Sequence, residues 1–162
     1  MRSEIPEVEI INHQTQVRLT EDSLVFLRLA ALRVWPRLAS FQCLPHHLES
    51  IEVLEIAFVS AAESDRAHRE FMDVAGETDV ITFLHGELVI CPAVAERQAR
   101  EHGEPLMREL LRYVIHGMLH LAGHTDDRKA ARIVMEQAQE KLVTWAWENG
   151  NFTVESTENT QK

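Results

Sequence analysis

Residues 105–122 hold the stretch that most constrains the fold. Leu106, Met107, Leu110, Leu111, Val114, Ile115, Met118, Leu119 and Leu121 recur at helical spacing and cover most of a helix's circumference. A helix apolar nearly all round has to lie at the centre of a domain, packed from several sides. Its remaining stripe carries Glu109, Arg112, Tyr113, His116 and His120. His116 and His120 are four residues apart, so they project from one face, one turn from each other.

Two imidazoles at that spacing can reach one zinc ion at ~2.0–2.1 Å each. Gly123 stands where such a helix would end in a left-handed residue, which glycine adopts at little cost. The turn would bring the following residues back toward the helix, and His124 and Asp126 are the two candidates for a third ligand. The run His-x-x-x-His-x-x-Gly-x-x-Asp copies the metzincin spacing, whose third ligand lies three residues after the glycine. Spacing therefore selects Asp126 over His124. In zinc proteases the residue after the first histidine is the glutamate that acts as general base. Here it is Gly117, which counts against proteolysis but leaves water activation by a metal open. The pattern supplies metal ligands and names no general base. Glycine inside a helix costs ~1 kcal/mol relative to alanine, so Gly117 implies close approach of another backbone or of a substrate.

The elements around this helix are legible in outline. Residues 7–13 and 51–59 read as strands, and "DVITFL" and "ELVICP" as a strand pair around "HG". Helices are expected from Thr20 to near Pro36, from a Ser60–Glu63 capping box to about Phe71, from Pro92 to about Glu101, and over residues 127–148. A turn is expected around Gly76. The sum is an α/β (α+β) domain over residues 1–149, a small mixed four-stranded sheet packed with about five helices, followed by a disordered polar tail over 150–162.

The net charge of −10 argues against a broad grip on nucleic acid, which needs Lys and Arg against phosphates. Arg97, Arg100, Arg108, Arg112, Arg128, Lys129 and Arg132 leave room for a local basic groove, but acids interleave with them, which also fits a mixed solvated surface. No apolar run reaches the ~18 residues of a membrane span. "MRSEIPEVEI" has no apolar signal core, and Cys43 and Cys91 lack metal-type spacing. A cytoplasmic location is expected.

With these residues in hand, the chain resembles the YbeY family of single-strand-specific, metal-dependent endoribonucleases, or rRNA maturation factors. The family run His-Gly-x-Leu-His-Leu-x-Gly-Tyr/His-Asp-His is met by His116-Gly117-Met118-Leu119-His120-Leu121-Ala122-Gly123-His124-Thr125-Asp126. Two further family segments are met by Thr78-Asp79-Val80-Ile81-Thr82-Phe83 and Gly86-Glu87-Leu88-Val89-Ile90-Cys91. The resemblance spans about residues 5–148.

It implies one zinc ion per chain on His116, His120 and Asp126, and cleavage of RNA in 16S rRNA 3′-end maturation and ribosome quality control. The implied partners are ribosomal RNA, the small ribosomal subunit and a small-subunit ribosomal protein. Two departures stand out. Asp126 replaces the family's third histidine, which leaves the centre less positive, its bound water harder to ionise, and its preference shifted toward harder ions. Met72 stands where many members carry an arginine implicated in activity, and Arg69 and Arg112 are the candidates to replace it. Glu87 in place of the family aspartate is a smaller change.

Two other functions compete: a non-catalytic ribosome-assembly factor with a structural metal, and a metal-dependent hydrolase of another substrate such as a peptide. Thr78, Asp79 and Thr82 either orient the histidines or cap a strand and turn. His46 and His47 read as solvated loop residues, and His68, His85 and His102 as scattered. Of Trp145 and Trp147, one is expected in the core and one at the surface.

Overall fold

The structure is a computed structural model that describes residues 5–43, 47–72 and 80–150. Strand β1 (Glu7–Asn12) leads to helix α1 (Glu21–Val34), two short 3-10 segments (Trp35–Phe41 and Leu48–Ser50) and β2 (Val53–Phe58). Then come α2 (Ala61–Met72), the hairpin of β3 (Val80–Phe83) and β4 (Glu87–Ile90), and the helices α3 (Pro92–His102), α4 (Leu106–Leu121) and α5 (Lys129–Asn149). Local chemistry sets several ends. The Thr20 hydroxyl accepts from the Ser23 N–H at 3.1 Å and starts α1. Pro36 has no N–H to continue it, and the chain tightens into a 3-10 segment. The Ser60 hydroxyl accepts from the Glu63 N–H at 3.2 Å, one half of the expected capping box.

The sheet order is β1-β2-β4-β3, with β1, β2 and β4 parallel and β3 antiparallel to β4. This is the mixed four-stranded sheet with five helices expected from the sequence. Register puts Ile10, Ile56, Leu88 and Thr82 in one row on one face. Leu54, Ile56, Phe58, Leu88 and Ile90 on that face are wholly buried, whereas Glu7 and Glu9 on the reverse are exposed. On the reverse face Phe71 of α2 packs edge-on against Phe83, with ring centroids 5.1 Å apart.

Helix α4 lies centrally, as its composition requires. Leu110, Leu111, Val114, Ile115, Met118, Leu119 and Leu121 have no exposed surface. Gly117 is where it meets the sheet: a Cβ there would fall 2.6 and 2.9 Å from the two Cδ atoms of Leu88. The close approach foreseen for Gly117 is thus made by a core side chain, not by a backbone or a substrate.

Electrostatics join α5 to α4. The Arg112 guanidinium bonds Glu140 at 2.8 and 3.0 Å and Glu104 at 2.9 and 3.2 Å, and also bonds Glu109. Burial opposes charge on Arg112, but its hydrogen bonds to Glu140, Glu104 and Glu109 outweigh it and raise its pKa. Burial likewise opposes charge on Glu140, and the Arg112 hydrogen bond outweighs it and lowers the Glu140 pKa.

The tryptophan expectation is corrected. Both Trp145 and Trp147 pack partly buried on the core, because they flank Ala146 at either border of the wide stripe α5 buries. Arg37 stacks over Trp145 at 3.7 Å, and Phe26 meets Trp147 edge-on at 5.7 Å. His47 is half-buried rather than solvated. The turn around Gly76, residues Thr78, Asp79 and His46, and the tail beyond Gly150 lie outside the described residues.

Two outcomes follow from this packing. Gly117→Ala gains ~1 kcal/mol of helix propensity but overpacks against Leu88 at a cost of ~1–3 kcal/mol. It should lower the urea midpoint, and Leu88→Ala should cost less in the Gly117→Ala background than in the wild type, as a double-mutant cycle would read. For Glu140, a folded-state pKa below the unfolded value means that its contribution is present above the ordinary carboxylate range and lost as pH falls through the lowered pKa. Thermal melts across pH 3–7 should therefore show a shallower acid limb for Glu140→Gln than for the wild type.

Candidate metal centre

Helix α4 presents His116 and His120 from successive turns, with ring centroids 4.7 Å apart and planes at 87°. Their Nε2 atoms are 3.1 Å apart. Asp126 Oδ2 lies 3.5 Å from His116 Nε2 and 3.6 Å from His120 Nε2. Two donors on a tetrahedral zinc, each at ~2.0–2.1 Å, stand ~3.3 Å apart. The three edges of this triangle bracket that value. Among the described residues, these three form the group whose donor atoms could hold a metal ion. The two histidines are half-buried and Asp126 is exposed, so the triangle has an open side.

The turn after α4 brings Asp126 back. Gly123 sits at φ 102°, a conformation that favours glycine. Its N–H donates to His120 O at 3.0 Å, and the His124 N–H donates to Leu119 O at 3.0 Å. These bonds reverse the chain within the last turn of the helix. His124 then points elsewhere: its Nε2 donates to the Phe41 carbonyl at 2.6 Å, and the residue is 6% exposed. Cys43 N–H donates to Ala122 O at 2.8 Å, tying the same loop to the helix end. His124 is thus a buried strut, and the geometry brings together the three residues that spacing singled out.

The donor set fits a metal. His120 Nδ1 faces the His124 carbonyl at 2.9 Å, and His116 Nδ1 faces Gln139 Oε1 at 2.8 Å. An oxygen acceptor at Nδ1 leaves Nε2 with its lone pair, the state a metal needs. Gln139 was missed in the sequence, although it falls among Met135, Ala138, Leu142, Val143 and Ala146 as the one polar residue of the stripe α5 buries. Thr82, on the sheet face that meets α4, has a buried hydroxyl oxygen with no hydrogen-bond partner, so it makes no hydrogen bond to either histidine.

Several other expectations change. Arg112 makes five hydrogen bonds to Glu104, Glu109 and Glu140, which use every N–H of a guanidinium. It has no donor left for a phosphate and cannot replace the arginine missing at 72, whose side chain lies outside the described residues. Arg69 pairs with Asp65 at 3.1 Å but is 63% exposed and stays accessible. Arg100 and Arg108 pair with Glu96 and Glu104, so this region presents a mixed surface. Glu87 lies 3.5 Å from His85. Cys43 and Cys91 form no disulfide. Among the described residues no helix is long and apolar enough to cross a membrane.

Known proteins share this arrangement of sequence. The family model described as Endoribonuclease YbeY matches residues 10–146. A Micrococcus luteus relative named Endoribonuclease YbeY is 33% identical over 153 residues, covering 85% of this chain and 90% of its own length. A Thermotoga petrophila relative of the same name is 36% identical over 103 residues, covering 58% of this chain and 67% of its own. The solution structure of TM1509 from Thermotoga maritima superposes with a TM-score of 0.54 at 23% identity, covering 91% of this chain and 97% of that one, which bears on the fold alone. By sequence over nearly its whole length, this chain belongs to the YbeY endoribonuclease family.

Proposed function

We propose that the protein is a single-strand-specific endoribonuclease that holds one zinc ion on His116, His120 and Asp126 and acts in 16S rRNA 3′-end maturation and ribosome quality control. The observation that carries the reading is the open donor triangle with edges of 3.1, 3.5 and 3.6 Å, in a chain of this family. A zinc ion there would supply Lewis acidity toward a phosphodiester and its attacking water. The chain's own part is to hold two neutral imidazoles and one carboxylate in place, with Gly117 where a protease would carry its base. Its partners on this reading are ribosomal RNA, the small subunit and a small-subunit ribosomal protein, in the cytoplasm. One observation favours a second reading, a ribosome-assembly factor with a structural metal: Arg112 is saturated by carboxylates and offers nothing to a phosphate.

Purified protein incubated with a single-stranded RNA should cleave it, lose cleavage to a chelator and regain it with zinc. Stoichiometric zinc without cleavage would turn the reading to the assembly factor. Asp126→Ala should weaken zinc binding by more than ~100-fold, beyond the range seen for residues that only support a ligand. His124→Ala should keep the zinc and lose ~1–3 kcal/mol of stability, because the Phe41 carbonyl loses its imidazole donor. Zinc lost from His124→Ala and kept by Asp126→Ala in a competition titration would reverse the assignment.

A further inference from the structure

His116 can ligate a metal through Nε2 only if its ring proton sits on Nδ1. The partner at Nδ1 is Gln139, 2.8 Å away on α5 and 9% exposed. A glutamine alone does not choose a tautomer, since its amide can turn either its oxygen or its nitrogen to the ring. Here the choice is made by the next residue. Gln139 Nε2 donates to Glu140 Oε2 at 3.0 Å, which turns Oε1 toward the imidazole. Glu140 in turn accepts from Arg112 Nε and Nη2 at 2.8 and 3.0 Å, so its carboxylate offers lone pairs and no proton. Arg112 is fixed from its other side by Glu104 and Glu109.

We propose that Gln139 is a positioning residue of the metal centre: clamped by Glu140 and Arg112, it keeps the His116 proton on Nδ1 and leaves Nε2 to the metal. The companion ligand is set differently. His120 Nδ1 faces a backbone carbonyl, which only accepts and which no substitution alters. One ligand is therefore oriented by main chain, the other by a chain of side chains reaching from α5 to the α3–α4 turn. This rests on the metal reading of the triangle and not on RNA being the substrate.

The test uses the full-length protein. Nitrogen-15 NMR of the histidine rings in the metal-free protein, at a pH where they are neutral, should show His116 as the Nδ1–H tautomer. Zinc affinity, read by competition with a chromogenic chelator, should fall ~10–100-fold in Gln139→Met, the usual range for losing such a support. In that variant the Nδ1–H signature should also give way to a mixture. The exchange Gln139→Glu with Glu140→Gln keeps an acceptor toward His116 and a donor–acceptor pair beside it, so it should restore both readouts. A purely structural amide joining α4 and α5 would lower the melting temperature of Gln139→Met without moving the tautomer. That result, wild-type zinc affinity in Gln139→Met, an exchange variant as weak as Gln139→Met, or an Nε2–H His116 in the wild type would each overturn the proposal. Should Gln139→Met not fold, the wild-type spectrum and the exchange variant still decide. Wild-type protein that takes up no zinc overturns the proposal along with the metal reading, whereas zinc uptake without RNA cleavage sinks only the nuclease reading.

Discussion

The contact of Leu88 with Gly117 fixes the direction of everything else on α4. With no side chain at 117, the helix can settle onto the sheet until Leu88 fills the space a Cβ would need. At 100° per residue, His116 and His120 then lie roughly 60–100° round the helix from the sheet contact, both on the same flank. That flank is where α5 runs, and Gln139 meets His116 there. The register of α4 on the sheet thus sets the aim of the histidines. The glycine next to His116 has a packing origin, before any role in catalysis.

The parts of this structure legible in the sequence are those set by local chemistry. The apolar circumference of α4, the Ser60–Glu63 cap and the left-handed Gly123 depend on neighbours within a turn or two. Asp126 was chosen on spacing alone, and the geometry brings it to the histidines. The reason His124 stays apart is a bond to the Phe41 carbonyl, 83 residues away, which no local pattern announces. Gln139 stands out in the sequence only as a polar residue in the apolar stripe of α5, and its partner depends on how α5 docks against α4. Arg112 misled because it shares the stripe of the histidines. Position on a helix face shows where a side chain leaves the backbone, but not that three carboxylates from three separate segments have consumed its donors.

Charge is arranged with the same economy around the triangle. A divalent ion with one carboxylate and two neutral imidazoles carries a net +1, where three imidazoles would leave +2. The groups facing the two Nδ1 atoms, an amide oxygen and a backbone carbonyl, are both neutral. A carboxylate in either place would add a second negative charge near the centre. The nearest carboxylate on this path, Glu140, is one residue further out and paired with Arg112. On the proposed metal reading, with Asp126 as an anionic ligand, a neutral partner for His116 would keep the centre electropositive toward a phosphate. In a chain of net charge −10, whose Arg100, Arg108 and Arg112 are already paired with glutamates, that local charge would on the same reading carry more of the attraction than the surface does.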